Sequence, residues 1–348
     1  MLLPSPVLRA LLDQILEEPA DNALRLVFAD ALEQSGDLAW AQLVRDQIAG
    51  IDTTHLEHEH GKRIAGPIAI HAARWTFERG FVATIAADVT ALATHVDTLL
   101  GTMPIRSIDV LHPEGGFAHS READAWMTAF LASPHLTGLE TLRIEAGWKP
   151  VIARAIAKAH PRLPRLRALR FHYYSGGELG DDGARAIAES PLCAQLEELQ
   201  VIAGGISAVG VIALAPSFRD LRVLSLPSVW LVRNPIGTDG AVALASAPGL
   251  AKLEELDLAG AGIGSIGARA FVEATWIANV RALDLADNGL TDDDVLAIAE
   301  AAPALTTLCV DSGVIGSDAP PNRITAATIE ALKWRGIEIL SDNDDDDE

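Results

Sequence analysis

Residues 253–258 read Leu253-Glu-Glu-Leu256-Asp-Leu258, and this L-x-x-L-x-L pattern recurs along most of the chain. Strong copies begin at Leu139, Leu166, Leu196, Leu221, Leu253, Val280 and Leu305, and a weaker copy begins at Ile105. Each copy is followed by an alanine-rich segment of helical character, such as residues 241–246. A short apolar strand, a turn and a helix, repeated in this order every 25 to 34 residues, predict a solenoid of stacked α/β units.

The repeats resemble leucine-rich repeats of the long strand-plus-helix kind found in ribonuclease inhibitor and in the GTPase activator of Ran. Residues 234–245 are close to the consensus of that kind, and the resemblance covers about residues 81–340. It implies a horseshoe with parallel strands on the concave face and helices on the convex face. The asparagine that the family places eight residues after the first leucine is clear only at Asn288, so we expect less regular turns after the other strands.

Short polar residues fall in one register where the repeat helices should begin. They are Asp181, Ser207, Thr238, Ser265, Thr291 and Thr325. Side-chain oxygens of this kind accept hydrogen bonds from the free N–H groups of a first helical turn, so we predict that these residues are N-caps. Glycines follow two or three residues later, for example Gly210 and Gly267, and are predicted to let neighbouring helices stack closely.

The N-terminal segment has a different pattern. Apolar residues spaced three and four apart predict three short helices in residues 1–50. The string Asp21-x3-Arg25-Leu-Val-x-Ala29-Asp30, followed by Ala41-x2-Val44-Arg45, resembles the small repeat-companion domain of bacterial paralogue families, a resemblance that implies no activity. We therefore expect a helical module (1–50), a polar helical connector (51–80), a leucine-rich-repeat solenoid (81–340) and a disordered acidic tail (341–348).

Composition limits the class of partner. The chain has 348 residues, with 27 lysines and arginines against 48 aspartates and glutamates, and a formal charge of −21. Nucleic acids and anionic membranes are bound through lysine and arginine, so we expect a protein partner and neither of those. The two cysteines, Cys193 and Cys309, do not suggest a disulfide framework, and no signal peptide or membrane span is recognisable, so the cytoplasm is the expected location.

Motifs that carry chemistry are sparse. The sequence contains no P-loop, dinucleotide-binding or GxSxG motif, so we expect no enzyme activity, no cofactor and no metal. The favoured function is a non-catalytic scaffold for protein–protein interaction. The first alternative is a regulator of an enzyme, either like ribonuclease inhibitor or like a GTPase activator. A metal-dependent enzyme that uses His55, His58 and Glu59 is a weaker alternative, because their spacing is not that of an HExxH motif.

The concave face is the predicted binding surface. The residue between the second and third apolar positions of each repeat should point out of this face. Read in chain order, these residues are Asp109, Arg143, Arg170, Gln200, Ser225, Asp257, Asp284 and Cys309. The pattern separates a basic half, with Arg143 beside Arg170, from an acidic half with Glu255, Asp257 and Asp284. We predict that a protein partner binds here.

Aromatic residues should extend this surface along one rim. Trp148, His172, Tyr173, Tyr174 and Trp230 each follow a strand of the repeat array by a few residues. Tyrosine, tryptophan and arginine dominate the energetics of protein interfaces. The rim residues are therefore predicted to contribute, together with the two arginines, to the same protein-binding site.

Overall fold

The computed structural model describes residues 5–111, 121–145, 150–172, 178–228, 233–311 and 320–340. The chain divides into two compact units, the first formed by Met1–Arg143 with Pro161–Leu166 and the second by Ile144–His160 with Arg167–Glu348. Strands and helices alternate through the second unit. The α/β repeat architecture predicted from the sequence is therefore confirmed, and helices precede it.

Eleven strands and fifteen α-helices lie in the described residues. The strands are β1 (Arg74–Glu78), β2 (Phe81–Asp88), β3 (Ser107–Leu111), β4 (Thr141–Glu145), β5 (Ala168–His172), β6 (Glu198–Ile202), β7 (Val223–Ser225), β8 (Glu255–Asp257), β9 (Ala282–Asp284), β10 (Thr307–Cys309) and β11 (Glu338–Leu340). The helices are α1 (Pro6–Glu17), α2 (Asn22–Gln34), α3 (Leu38–Ile48), α4 (Thr54–Ala65), α5 (Ile68–His71), α6 (Val89–Leu100), α7 (Arg121–Leu131), α8 (Pro150–Ala159), α9 (Gly180–Ala188), α10 (Pro191–Gln195), α11 (Ala208–Leu214), α12 (Gly237–Ala245), α13 (Gly264–Val272), α14 (Asp292–Ala301) and α15 (Ala326–Trp334).

The strands of the second unit form a parallel sheet in chain order. Each strand from β5 to β10 pairs with the next one. The apolar positions of the repeat are buried beneath this sheet, and Leu253, Leu256 and Leu258 are at most 1 % exposed. Since successive side chains of a strand point to opposite faces, the residues between the leucines reach the other face of the sheet.

Close packing of the repeat helices explains the glycines in their first turns. A Cβ atom on Gly210 would lie 3.1 Å from the Cβ atom of Ala184 on α9, and a Cβ atom on Gly267 would lie 2.9 Å from that of Ala241 on α12. Separations this small are tighter than ordinary van der Waals contact between carbon atoms. The predicted close stacking of neighbouring helices is confirmed at these two positions.

Three of the six predicted N-caps are correct, namely Ser207, Thr291 and Thr325. The other three, Asp181, Thr238 and Ser265, lie one residue inside their helices, because a glycine with positive φ begins each of these helices. All three side chains bind the next repeat instead. Asp181 accepts a 2.7 Å hydrogen bond from the Ser207 hydroxyl, Thr238 donates one of 2.9 Å to the main-chain oxygen of Ile263, and Ser265 donates one of 2.6 Å to Asp294.

Three buried asparagines support the turns that follow the strands. Each side chain donates to two main-chain carbonyls and accepts from main-chain N–H groups in an adjacent repeat or turn, two for Asn234 and Asn322 and one for Asn288. Leucine spacing indicated only Asn288, and the structure adds Asn234 and Asn322 in the same role. Asn234 and Asn322 were missed because longer segments separate them from the leucine pattern.

The first unit contains the predicted N-terminal helices, α1 to α3. The indole N–H of Trp40 on α3 donates to the main-chain oxygen of Gly80 at 2.7 Å. The rings of Phe28, Trp40 and Phe81 lie with their centroids 5.2 to 5.8 Å apart. Aromatic packing and one buried hydrogen bond thus fix these helices against the β1–β2 hairpin.

Arg25, which is part of the resemblance to the repeat-companion domain, has a structural role. It is 2 % exposed, and its guanidinium donates to the main-chain oxygens of Pro19 at 2.7 Å and Arg79 at 3.2 Å. Burial, together with repulsion from Arg79 and Arg106, lowers the pKa of Arg25 to about 10. The group is therefore charged at neutral pH, and it joins α2 to the hairpin through charge-assisted hydrogen bonds.

The prediction of a helical connector over residues 51–80 is wrong at its end. There Arg74–Glu78 forms strand β1, which pairs antiparallel with β2. The two residues between the strands, Arg79 and Gly80, have φ values of 50° and 83°. Positive φ at both positions is typical of the two-residue turn that suits the twist of a hairpin. The alternating aromatic residues Trp75 and Phe77 before this turn were the sequence signal for the strand.

None of the helices in the described part of the chain combines the length and the apolar character needed to cross a bilayer.

Candidate binding surface on the strand face

The outward residues of β5 to β11 form one surface of the second unit, which we call the strand face. Strand register aligns them in two columns, as predicted. The central column contains Arg170, Gln200, Ser225, Asp257, Asp284 and Cys309. The leading column, two residues earlier on each strand, contains Ala168, Glu198, Val223, Glu255, Ala282 and Thr307. These side chains are the candidate site.

Arg170 is held by an acid on the next strand. Its Nε and Nη2 atoms donate to the two carboxylate oxygens of Glu198 at 2.5 and 2.8 Å, a bidentate arrangement. The sequence analysis compared residues within the central column and did not anticipate this pair. The acid belongs to the leading column and reaches Arg170 along the diagonal between strands.

Beside this ion pair, a separate chain of hydrogen bonds runs from His172 toward the acidic half. His172 and Gln200 are joined at 2.9 Å, and Gln200 donates to Ser225 at 3.4 Å. The Ser225 hydroxyl donates to Asp257 at 2.8 Å. Because these bonds link β5, β6, β7 and β8, the buried and half-buried polar side chains hold one another in fixed positions.

The acidic half is built by β8 and β9. Asp257 and Asp284 are direct register partners, so their Cα atoms lie about 4.8 Å apart across the sheet. Each carboxylate also accepts a hydrogen bond from the turn after its own strand, Asp257 from the N–H of Ala259 at 3.1 Å and Asp284 from the N–H of Ala286 at 2.9 Å. These turns orient two like charges side by side on the strand face.

An open groove of about 440 Å³ runs across the strand face. Its lining comes from β5 to β11 and reaches from Arg170 to Leu340. Among the described lining residues there are four carboxylates and one guanidinium, which together have a formal charge of −3. Part of the lining consists of small side chains, namely those of Val223, Ala282 and Cys309.

The described strand face does not include the remaining predicted site residues other than His172. Arg143 is a half-buried residue of β4 and belongs to the first unit. Trp148, Tyr173, Tyr174 and Trp230 lie outside the described residues. The predicted aromatic rim is therefore represented in the structure by His172 alone among its five members.

A second charge pattern, which the sequence analysis missed, runs along the start of the strands. The residue after the first apolar position of each repeat alternates in sign through Arg106, Glu140, Arg167, Glu197, Arg222, Glu254 and Arg281. Within the second unit Arg222 donates to Glu254 at 2.7 Å, and this hydrogen bond holds the pKa of the Glu254 carboxyl below its usual value. Opposite charges on neighbouring strands attract, so this column supports strand register.

A groove of about 640 Å³ lies along this alternating column. Its charged lining consists of three acids and three bases, namely Glu197, Asp220, Glu254, Arg222, Lys252 and Arg281. Lys252 pairs with Asp220 at 2.6 Å. Because acids and bases here pair with one another, we assign this groove a structural role.

Side chains that could carry chemistry are scattered in the described part of the chain. His55, His58 and Glu59 are exposed on α4, and no group of three potential metal ligands was found among the described residues. Burial raises the pKa of the Cys193 thiol to about 12, which keeps it protonated at neutral pH. Cys309 is buried in the floor of the strand-face groove.

Comparison with protein families agrees with the repeat architecture. The leucine-rich repeat family matches residues 249–272 and 278–299, which contain α13, β9 and most of α14. The match covers these two segments, and the order of strands and helices in the described residues agrees with a leucine-rich-repeat architecture. No curated protein matches the chain in sequence.

Two solved structures are similar to this chain. A crystal structure of a protein from Bacteroides fragilis has 13 % sequence identity and a TM-score of 0.40, and the match covers 67 % of this chain and 75 % of that one. The crystal structure of the TLR13–ssRNA13 complex has 18 % identity and a TM-score of 0.40, and the match covers 74 % of this chain. This chain spans about a third of TLR13, since the match covers 35 % of that chain.

Proposed function

We propose that the protein is a non-catalytic scaffold that binds another protein on the strand face of its second unit. The groove across β5 to β11 is the observation that carries the proposal. It presents polar and charged side chains from neighbouring repeats in one open surface. Extended surfaces of this kind are what repeat architectures offer to a macromolecular partner.

Preorganisation supports binding at this surface. The ion pair between Arg170 and Glu198, and the hydrogen bonds that run from His172 to Asp257, order the side chains before a partner arrives. Side chains that are already ordered lose less conformational entropy on binding. The strand face is therefore better suited to recognition than a surface of unconnected side chains.

The rim aromatics extend the proposed site. Tyr173 directly follows His172, the last residue of β5, and Tyr174 comes next, while Trp230 follows β7 in the chain. Parallel strands end at the same edge of a sheet, so we propose that these three residues, which follow strands in the chain, contact the same partner. A contribution of Arg143 and Trp148 to binding remains a prediction from the repeat pattern. Inhibition or activation of an enzyme is one use of such a surface, and the identity of the partner would decide it.

Photo-crosslinking at two valines tests the proposal. A photoreactive phenylalanine analogue is placed at Val223, on the strand face, or at Val242, which is exposed on helix α12. In cells that make the protein, we expect a discrete crosslinked protein from the Val223 position and none from the Val242 position. Equal crosslinking at both positions, or crosslinking at Val242 alone, would contradict binding on the strand face.

A further inference from the structure

We propose that the strand face recognises an extended, cationic protein segment and holds a lysine or arginine of that segment between Asp257 and Asp284. This inference rests on the proposed function and adds the chemistry of the partner. It is carried by the distribution of charge in the groove, by the fixed orientation of the two carboxylates and by the shape of the floor beside them.

Charge is divided unevenly along the groove. At the β5–β6 end, the guanidinium of Arg170 is matched by the carboxylate of Glu198. The other acids among the described lining residues, Glu255, Asp257 and Asp284, all lie on the neighbouring strands β8 and β9. Like charges on adjacent strands repel, and a cation placed between them lowers this repulsion. Three carboxylates are thus concentrated on two neighbouring strands of the described lining, where a partner's cation fits.

The two aspartates are oriented by the fold. The turn after each strand fixes one oxygen of each carboxylate through a main-chain N–H, from Ala259 for Asp257 and from Ala286 for Asp284. The second oxygen of Asp257 accepts from the Ser225 hydroxyl. Register places the two residues directly opposite each other, so one ammonium or guanidinium group can bridge both carboxylates.

Small side chains next to this point leave room for a main chain. In the leading column Glu255 stands between Val223 and Ala282, and both of these residues line the groove. An extended segment that crosses the strands can approach the sheet over these two residues while its cationic side chain reaches the aspartates. A nucleic acid brings phosphates to the same acidic place and is repelled, which favours a protein segment over RNA or DNA.

The probe is a fluorescein-labelled cationic peptide of five Ser-Arg repeats, and an acidic peptide of five Ser-Glu repeats is its control. Fluorescence anisotropy measures the affinity for each peptide at low and at physiological salt. The double variant Asp257→Asn/Asp284→Asn keeps an oxygen for each turn N–H. We expect it to bind the cationic peptide at least about ten-fold more weakly than the wild type. The exposed acids of helix α14 provide the control, Asp293→Asn/Glu300→Gln, which removes the same charge and is expected to bind like the wild type.

Equal weakening in the double variant and the control, or no weakening in either, would overturn the inference, because bulk charge alone would then explain binding. Binding of a labelled oligo-uridine in place of the cationic peptide would also overturn it. Glu255→Gln changes an exposed side chain outside the turns, and it should weaken binding even if the double variant does not fold. If crosslinking from Val223 persists when both aspartates are replaced, the proposed function stands and only the cationic chemistry fails.

Discussion

Replacing Gly80 with alanine is expected to destabilise the first unit by at least about 3 kcal/mol. Gly80 has a φ of 83°, and an added Cβ atom would lie 2.6 Å from the Cα atom of Val44. Gly80 also accepts the indole hydrogen bond of Trp40 and donates its N–H to Gln47 at 2.7 Å. Any main-chain shift that makes room for the methyl group therefore disturbs both contacts between helix α3 and the hairpin turn.

Gly36 provides the matched control. It also has a positive φ, 91°, but a Cβ atom there would meet nothing within 4 Å. Gly36→Ala should therefore show only the cost of the left-handed backbone, about 1–2 kcal/mol. Urea unfolding gives the free energy of unfolding of both variants. Hydrogen exchange of residues 38–48 reports the local effect on helix α3. Equal losses would mean that close packing at Gly80 contributes nothing.

Replacing Asn288 with alanine is expected to destabilise the second unit by about 3 kcal/mol, since several buried main-chain groups lose their partner together. Asn288 is fully buried. Its side chain accepts from the N–H of Ile263 at 3.0 Å and donates to the carbonyls of Leu258 and Ala286 at 2.8 and 2.9 Å. The loss should be accompanied by faster amide exchange at Ile263, which mass spectrometry can follow.

Asn279 supplies the comparison for this variant. It is exposed, and its side chain makes a hydrogen bond of 2.8 Å to the main-chain oxygen of Ala251. Asn279→Ala should cost less than about 1 kcal/mol, because water can replace that bond at the surface. An Asn288 variant as stable as the Asn279 variant would show that the buried asparagines do not support the turns.

The leucine pattern predicted the strand register well, because the side chains of a parallel strand alternate with a period of two and burial fixes which set points inward. This is why Asp257 and Asp284 lie side by side as expected. The pairing of Arg170 with Glu198 was missed, because the sequence analysis compared residues within one column and a long side chain also reaches the diagonal neighbour. The alternating charges from Arg106 to Arg281 lie in a third column, the residue after the first apolar position of each repeat, which the prediction of the binding surface did not include.

Loops limited the rest of the prediction. Asn234 and Asn322 act like Asn288, but loops of different length separate them from the leucines, so fixed spacing does not find them. The helices that contain Asp181 and Thr238 begin earlier than predicted, because a glycine with positive φ precedes each of these residues and begins the helix. The position of an isolated residue in a loop depends on tertiary hydrogen bonds, which the repeat pattern does not contain.

The affinity of the crosslinked partner for a triple variant tests the central proposal most directly. The variant is Arg170→Ala/Tyr174→Ala/Trp230→Ala, and circular dichroism confirms that it folds. Its matched control removes three exposed side chains from the helices, Val209→Ala/Ile212→Ala/Val242→Ala. By titration calorimetry, binding on the strand face predicts an affinity at least about thirty-fold weaker for the strand-face variant, which corresponds to about 2 kcal/mol. The helix-face control should bind like the wild type. Undiminished affinity of the folded strand-face variant would contradict the proposal and direct the search for the site to the N-terminal helices.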